Sequence, residues 1–227
     1  MGVLPQVDGS ALFELGNTRV LATVHGPREP RQKGQAQHDC VALTARFHAA
    51  TFSSVTGERR RILRQDRRLT EWGHYIEELY SSAIIGSLFP RSQIEIFIEV
   101  LNADGSVLAA AINATTLALV NAGIPVYDYV VATSVGHLAQ TALLDINRME
   151  EGGGRGNPSL TVAAYGRNPN LTLLVTGDTR VGADKLESMS EVARSGMKKL
   201  FDILDETVVR PNMETMLESR KSNFTEQ

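Results

Sequence analysis

Residues 95–125 read EIFIEVLNADGSVLAAAINATTLALVNAGIP, and two periodicities meet in them. Ahead of the Asp104-Gly105 pair, Ile94, Ile96, Ile98 and Val100 alternate with Glu95, Phe97 and Glu99. That period of two marks a half-buried strand, because successive side chains leave opposite faces of the pleat. Behind the pair, residues 107–122 are apolar nearly all round the helical turn, the pattern of a helix buried on every side. Gly123 stands where such a helix needs a left-handed closing residue.

The flanking segments extend this core in both directions. SALFEL (10–15), the turn pair Gly16-Asn17 and RVLATVHG (19–26) read as a hairpin, followed by a polar loop, GPREPRQKGQAQ. CVALTARFHAATF (40–52) reads as a third strand. Asp66 is placed to cap a helix whose apolar stripe is Leu69, Trp72, Ile76, Leu79 and Ala83, with Phe89-Pro90 ending it. Beyond the buried helix, YVVATSVGHLAQ and TALLDI read as strands and MEEGGGRGNPS as a flexible loop. LTVAAYG and LTLLVTGD form a second hairpin across RNPN. A helix from Ala183 to Val209 follows, broken or kinked by Pro211 and ending in a polar helical tail over 211–227. Two β-rich halves, each backed by helices, make an α+β domain, expected to be single over residues 1–227.

Composition narrows the function. The net charge is −3, yet residues 28–68 carry ten Lys/Arg against four acids, a local +6 that leaves −9 elsewhere. Six arginines crowd GERRRILRQDRR (57–68). A basic zone on an acidic body suits a polyanion held at one place, not a wholly basic, promiscuous nucleic-acid binder. No apolar run approaches the ~18 residues of a membrane span, and the start lacks a basic segment followed by an apolar one. The single cysteine, Cys40, lies among apolar residues and is expected in the core. Trp72, on the apolar stripe, is expected to pack in the core. His25, His48 and His74 have no acidic partner at a ligand-like spacing, and Gly152-Gly153-Gly154 lacks the Lys-Ser/Thr of a phosphate-cradling loop. No cofactor and no metal site is expected.

These pieces in this order resemble the RNase PH family. The opening hairpin ending in Gly-Pro, the helix DRRLTEWGHYIEELYSSAI, the strand-turn-helix of residues 95–125 and TSVGHLAQTALLDINRMEE carry the likeness, which spans nearly the whole chain. GPREPRQK and LLDINRMEE are similar in flavour to the fungal-like exosome core subunits related to the archaeal catalytic RNase PH-like chain. The resemblance implies an RNase PH-like fold and RNA as the ligand. One departure is visible: family members begin with a strand carrying Arg-x-Asp-Gly-Arg, and this sequence starts beyond it, which would leave a sheet edge unpaired.

Active members of the family use inorganic phosphate to cleave the last phosphodiester of an RNA 3′ end. Such chemistry needs guanidinium groups around two anions, and carboxylates to hold Mg²⁺ and handle protons. By resemblance, the family's first arginine matches Arg68, its second falls at Leu108, its first acid falls near Glu151, and its second acid falls at Asn157 or Ser159. Leu108 cannot bind phosphate. The site is therefore expected to be degenerate and the chain not to be an enzyme. Asp178 and Asp184 are read as turn and helix-start residues. The resemblance further implies that Arg67, Arg68, Lys33 and Arg31 contact phosphates of threaded single-stranded RNA; Arg64 is counted with them, while Arg59, Arg60 and Arg61 are read as solvated or in contact with a partner.

Three functions compete. The first is a structural channel subunit of a six-membered exosome ring of RNase PH-like chains, working with RNA-binding cap subunits and a separate nuclease in nucleus, nucleolus and cytoplasm. The second is an active phosphate-dependent 3′–5′ exoribonuclease whose site a partner completes. The third, drawn from composition alone, is an interaction module whose basic loop binds an acidic protein.

Overall fold

The computed structural model describes residues 1–30, 38–54, 59, 66–138, 141–151, 157–177, 179–211 and 214. Two four-stranded sheets face one another across a central helix. The first sheet contains β1 (Gly9–Leu15), β2 (Thr18–Arg28), β3 (Ala42–Ala49) and β4 (Gln93–Asn102), in the order β1-β2-β4-β3. The second contains β5 (Val130–Leu138), β6 (Thr141–Leu144), β7 (Ser159–Tyr165) and β8 (Thr172–Gly177), in the order β6-β5-β7-β8. The helices are α1 (Arg67–Ala83), α2 (Val107–Ala122), the single turn α3 (Arg148–Glu151) and α4 (Ala183–Leu204).

The segment read first builds the centre. Ile94, Ile96, Ile98 and Val100 of β4 are all buried, and the strand pairs on both sides, antiparallel to β2 and parallel to β3. Helix α2 is buried from Leu108 to Leu119 and packs on β1, β2 and β5. Its alanines let backbones come close. A Cβ on Gly9 of β1 would lie 2.3 Å from the Ala118 carbonyl oxygen, so only glycine fits there. Polar groups on α2 tie its neighbours to it. Asn113 donates to the Ala132 carbonyl and accepts from the Ala132 N–H, each at 2.9 Å, satisfying a stretch of β5 that β6 does not reach. The buried Tyr80 hydroxyl donates to the Ile112 carbonyl at 2.6 Å and sits 2.8 Å from the Thr116 hydroxyl. Gly123 closes the helix at φ 71°.

Both hairpins form as expected, β1–β2 through Gly16-Asn17 and β7–β8 through residues 167–170. At the β1 edge, the Gly2 N–H donates to the Ser10 carbonyl at 2.7 Å, and the Leu4 N–H to the Ser10 hydroxyl at 2.9 Å. Asp66 caps α1 as expected, accepting from the Arg68 N–H at 3.2 Å.

Several expectations are corrected. Helix α1 ends at Ala83, well short of Phe89-Pro90, because tertiary pairing captures the chain. Ile84 bridges to Val126, the Ile85 N–H donates to the Pro125 carbonyl, and the Tyr127 N–H to that of Ala83. The supposed loop at 149–159 begins as α3. Asn147 accepts from the Glu150 N–H while Glu150 accepts from the Asn147 N–H, both at 3.0 Å, a reciprocal capping box. Cys40 is exposed, since it precedes β3 instead of lying within it. Helix α4 widens into a π turn over Asp205–Val209 ahead of Pro211. The polar tail lies almost wholly outside the described residues.

Candidate active site: an arginine-lined cleft between the two sheets

The turn between β4 and α2 is the joint of the molecule. Thr18 donates its hydroxyl to the Gly105 carbonyl at 2.7 Å and accepts from the Asp104 N–H at 3.1 Å. From the other half, the Arg148 N–H donates to the Asp104 carbonyl at 3.0 Å, and the Ser106 hydroxyl donates to the Ile146 carbonyl at 3.1 Å. Gly105 holds φ 99°, and a Cβ there would meet the Ile146 carbonyl oxygen at 2.4 Å. The turn therefore clamps α3 to the head of α2, at a position only glycine permits.

A cleft of about 480 Å³ opens above this joint. Gly105, Ser106 and Leu108 form its floor. One wall, from the first half, carries Ser53, Ser54, Arg68 and Trp72. The other, from the second, carries Ser134, Arg148, Glu151, Ser159 and Thr161, with Arg59 also at the cleft. The Arg68 guanidinium lies 4.9 Å over the Trp72 ring, and Trp72 meets Phe47 edge to face at 5.3 Å. The arginine is thereby stacked in place, with its donors directed by the aromatic plane. Arg148 donates to the Ser54 hydroxyl at 3.2 Å, bridging the two walls. Beside it the Ser53 hydroxyl is buried without a hydrogen-bond partner among the described residues. A buried hydroxyl left this way costs roughly 1–3 kcal/mol, the kind of deficit that a bound anion removes.

The sequence-derived site residues divide as follows. Arg68, Leu108, Glu151 and Ser159 meet at the cleft. Between the two alternatives for the second acid, Ser159 faces the cleft, whereas Asn157 turns away and donates its side-chain amide to the Glu150 carbonyl at 2.7 Å. Arg67 is exposed on the first turn of α1 and does not line the cleft. Arg31, Lys33, Arg64 and Asp178 lie outside the described residues. Asp184 sits in the first turn of α4, as a helix-start residue. Trp72 is only partly buried and lines the cleft, so its place is shared between core and site. Arg59, read as solvated or in contact with a partner, is exposed and also lines the cleft. Two histidines do have carboxylate partners, His74 with Glu77 at 3.0 Å and His48 with Glu99 at 3.4 Å, the first at a helical i,i+3 spacing that the sequence displayed.

Sequence reasoning missed Arg148, which no spacing connects to Arg68. Its neighbour signal was present in the Asn147-x-x-Glu150 box that fixes α3. For a divalent metal, the described part of the cleft offers one carboxylate, Glu151, and the described residues contain no cluster of three His, Cys, Asp or Glu. That set does not make a metal site by itself.

Comparison with known proteins gives a consistent answer. The model of the RNase PH family, described as "3′ exoribonuclease family, domain 1", matches residues 1–125. The human exosome complex component RRP41 is 41% identical over 209 residues, 92% of this chain and 83% of that protein. Among solved structures, rice Rrp46 superposes with a TM-score of 0.75 at 23% identity, covering 92% of this chain and 91% of its own. A chain of the Archaeoglobus fulgidus exosome with RNA bound to the active site superposes at 0.71 with 19% identity, covering 88% and 84%. The expectation that this chain is not an enzyme is overturned: the family whose model matches residues 1–125 is one of 3′ exoribonucleases. The physical reason lies in the cleft. Leu108, where the resemblance put the second arginine, offers no cation, but the cleft is not without them, because Arg59 and Arg148 arrive from other segments. Motif match, relatives and fold agree, and the chain belongs to the RNase PH family of 3′ exoribonucleases, with RRP41 exosome components among its relatives.

Proposed function

We propose that this chain is an RRP41-type subunit of an exosome core ring, which takes the 3′ end of single-stranded RNA into its cleft and shortens it by phosphorolysis. One observation carries the reading: Arg59, Arg68 and Arg148, from three separate segments, converge on one cleft with Glu151. Two anions must meet in such a reaction, and guanidinium groups are the side chains that hold phosphoryl oxygens with directed donors. An oxygen of inorganic phosphate attacks the last phosphodiester phosphorus. The bond to the preceding ribose 3′ oxygen breaks, that oxygen takes up a proton, and the terminal nucleotide leaves as a nucleoside 5′-diphosphate. Glu151 is the described carboxylate at the cleft that can pass the proton. The arginines stabilise the charge that spreads over the transferring group.

The partners on this reading are other RNase PH-like chains in a six-membered ring, RNA-binding cap subunits and a separate nuclease, in nucleus, nucleolus and cytoplasm. Arg67 supports a second role. Exposed beside Arg68 but outside the cleft, it continues the basic surface as a phosphate track that leads RNA onward, to this cleft or to the separate nuclease. Sequence-independent, salt-sensitive binding is the property such a track needs.

The test is phosphate-dependent release of nucleoside diphosphates from end-labelled RNA by the assembled ring, with the separate nuclease inactivated by mutation. Release that disappears with Arg68→Glu is expected. A ring that binds RNA but releases no diphosphate at any phosphate concentration would sink the phosphorolytic reading and leave only the track.

A further inference from the structure

We infer that Arg148, with the Ser53 hydroxyl, binds the inorganic phosphate in this cleft, supplying from the second half of the chain the guanidinium that Leu108 cannot. The inference rests on the phosphorolytic reading above and names the residues that position its attacking group. Leu108 is 4% exposed on the cleft floor and has no donor to offer. Arg148 lies on the wall beside that floor, held by three features independent of its side chain. Its own N–H is bound to the Asp104 carbonyl, the Asn147–Glu150 box closes its helical turn, and the Gly105 backbone abuts Ile146.

The Arg148 side chain is also directed. One guanidinium nitrogen donates to the Ser54 hydroxyl at 3.2 Å, and a guanidinium has five N–H donors in a planar fork. The Ser53 hydroxyl lies against the same cleft, 1% exposed as a residue, with no partner for its oxygen among the described residues while its N–H and C=O are both engaged, with Ala50 and Ala103. A tetrahedral anion accepts from an arginine fork and a hydroxyl together. Arg68, stacked on Trp72 across the cleft, is left to face the RNA phosphodiester.

The experiment uses the full chain and its assembled ring. Inorganic phosphate at matched ionic strength should raise the Tm of the wild-type chain. Arg148→Gln and Ser53→Ala should lose most of that rise, and Arg148→Lys should keep part of it. Arg167→Gln, at the far β7–β8 turn beside Asp128, should keep all of it. In the ring, Arg148→Gln should raise the phosphate concentration for half-maximal diphosphate release about tenfold, while the RNA concentration dependence changes little. Circular dichroism checks that the exposed Arg148 substitution leaves the fold intact. If phosphate protection persists in Arg148→Gln but is lost in Arg68→Gln, Arg148 is not the phosphate residue and the cleft reading survives. If the wild type shows neither protection nor phosphate-dependent release, the proposed function falls and this inference with it.

Discussion

The two walls of the cleft are built differently. The first-half wall stands on regular elements over a deep core: Arg68 and Trp72 on a 17-residue helix, backed by β4 isoleucines exposed by 1% or less. The second-half wall stands on thinner support. Its core is a small cluster, centred on Val131, Val135, Met189 and Met197. Its outer strand β8 leaves Val175 55% exposed, and two of its cleft residues ride on a single helical turn. The molecule thus pairs a rigid anchor with a lighter partner, joined at Asp104-Gly105. Burial, not element type, sets the contrast, because both halves have the same count of strands.

The sharpest way to break that comparison is to hollow each core. Ile96→Ala, at a fully buried position under α2, should cost about 4 kcal/mol, since its neighbours are strands that cannot collapse into the hole. Met197→Ala should cost about 2 kcal/mol, because a flexible side chain in a small cluster leaves a site that can close. Denaturant melts of both variants measure this. Equal losses would show that the second half is no softer than the first.

Next comes the joint itself. Gly105→Ala places a Cβ against backbone in a left-handed conformation. It should cost on the order of 3 kcal/mol and displace α3. RNA binding by the folded variant should fall more than Arg68→Ala alone produces. A variant of wild-type affinity would mean the two walls do not depend on the turn that connects them.

Tyr80 tests how the anchor is secured. Burial pushes its phenol well above the ordinary tyrosine value near 10. The hydroxyl must therefore stay protonated in the folded chain. Its contribution is complete below pH 10 and is lost as pH rises above that, because the unfolded chain ionises first. Tyr80→Phe should cost about 1 kcal/mol at neutral pH, through the hydrogen bond to the Ile112 carbonyl. It should also flatten the alkaline fall in Tm. An unchanged alkaline slope would assign the loss to Tyr129 and Tyr165, whose phenols burial also raises.

What the sequence made legible follows the same division. The alternation of β4, the apolar girth of α2, the Asp66 cap and the Gly16-Asn17 turn are local signals, and each names its own element. The early end of α1 was not legible, because Ile84 and Ile85 leave the helix for partners some 40 residues away, at Pro125 and Val126. Arg148 was hidden for the same reason: the hydrogen bond that places it runs to Asp104, in the other half. Position-by-position transfer from a family motif assumes that a function stays on its strand. Here Leu108, where the resemblance put the second arginine, has no donor to offer, and Arg148 on another element lines the same cleft. Where the chain spoke locally and went unheard, at Asn147-x-x-Glu150 and at His74/Glu77, the spacing alone was sufficient.

The smallest expected effect separates cleft from track. Arg67 and Arg68 are adjacent, both exposed and both arginine, yet only Arg68 lines the cleft and stacks on Trp72. If Arg67 touches only passing phosphates, Arg67→Gln should weaken single-stranded RNA binding about threefold, roughly 0.6 kcal/mol. It should do so equally for every sequence and lower the salt slope by about 0.7. Diphosphate release at saturating RNA should not change. Arg68→Gln should lower the salt slope by a similar amount and, on the phosphorolytic reading, also reduce release at saturation, because its guanidinium lines the cleft proposed to hold the reacting phosphate. Titrations at several salt concentrations, run beside single-turnover release, distinguish the two. Should Arg67→Gln reduce saturated release as much as Arg68→Gln, the track and the cleft are one surface, and the first-half wall extends a full residue further along α1 than its lining indicates.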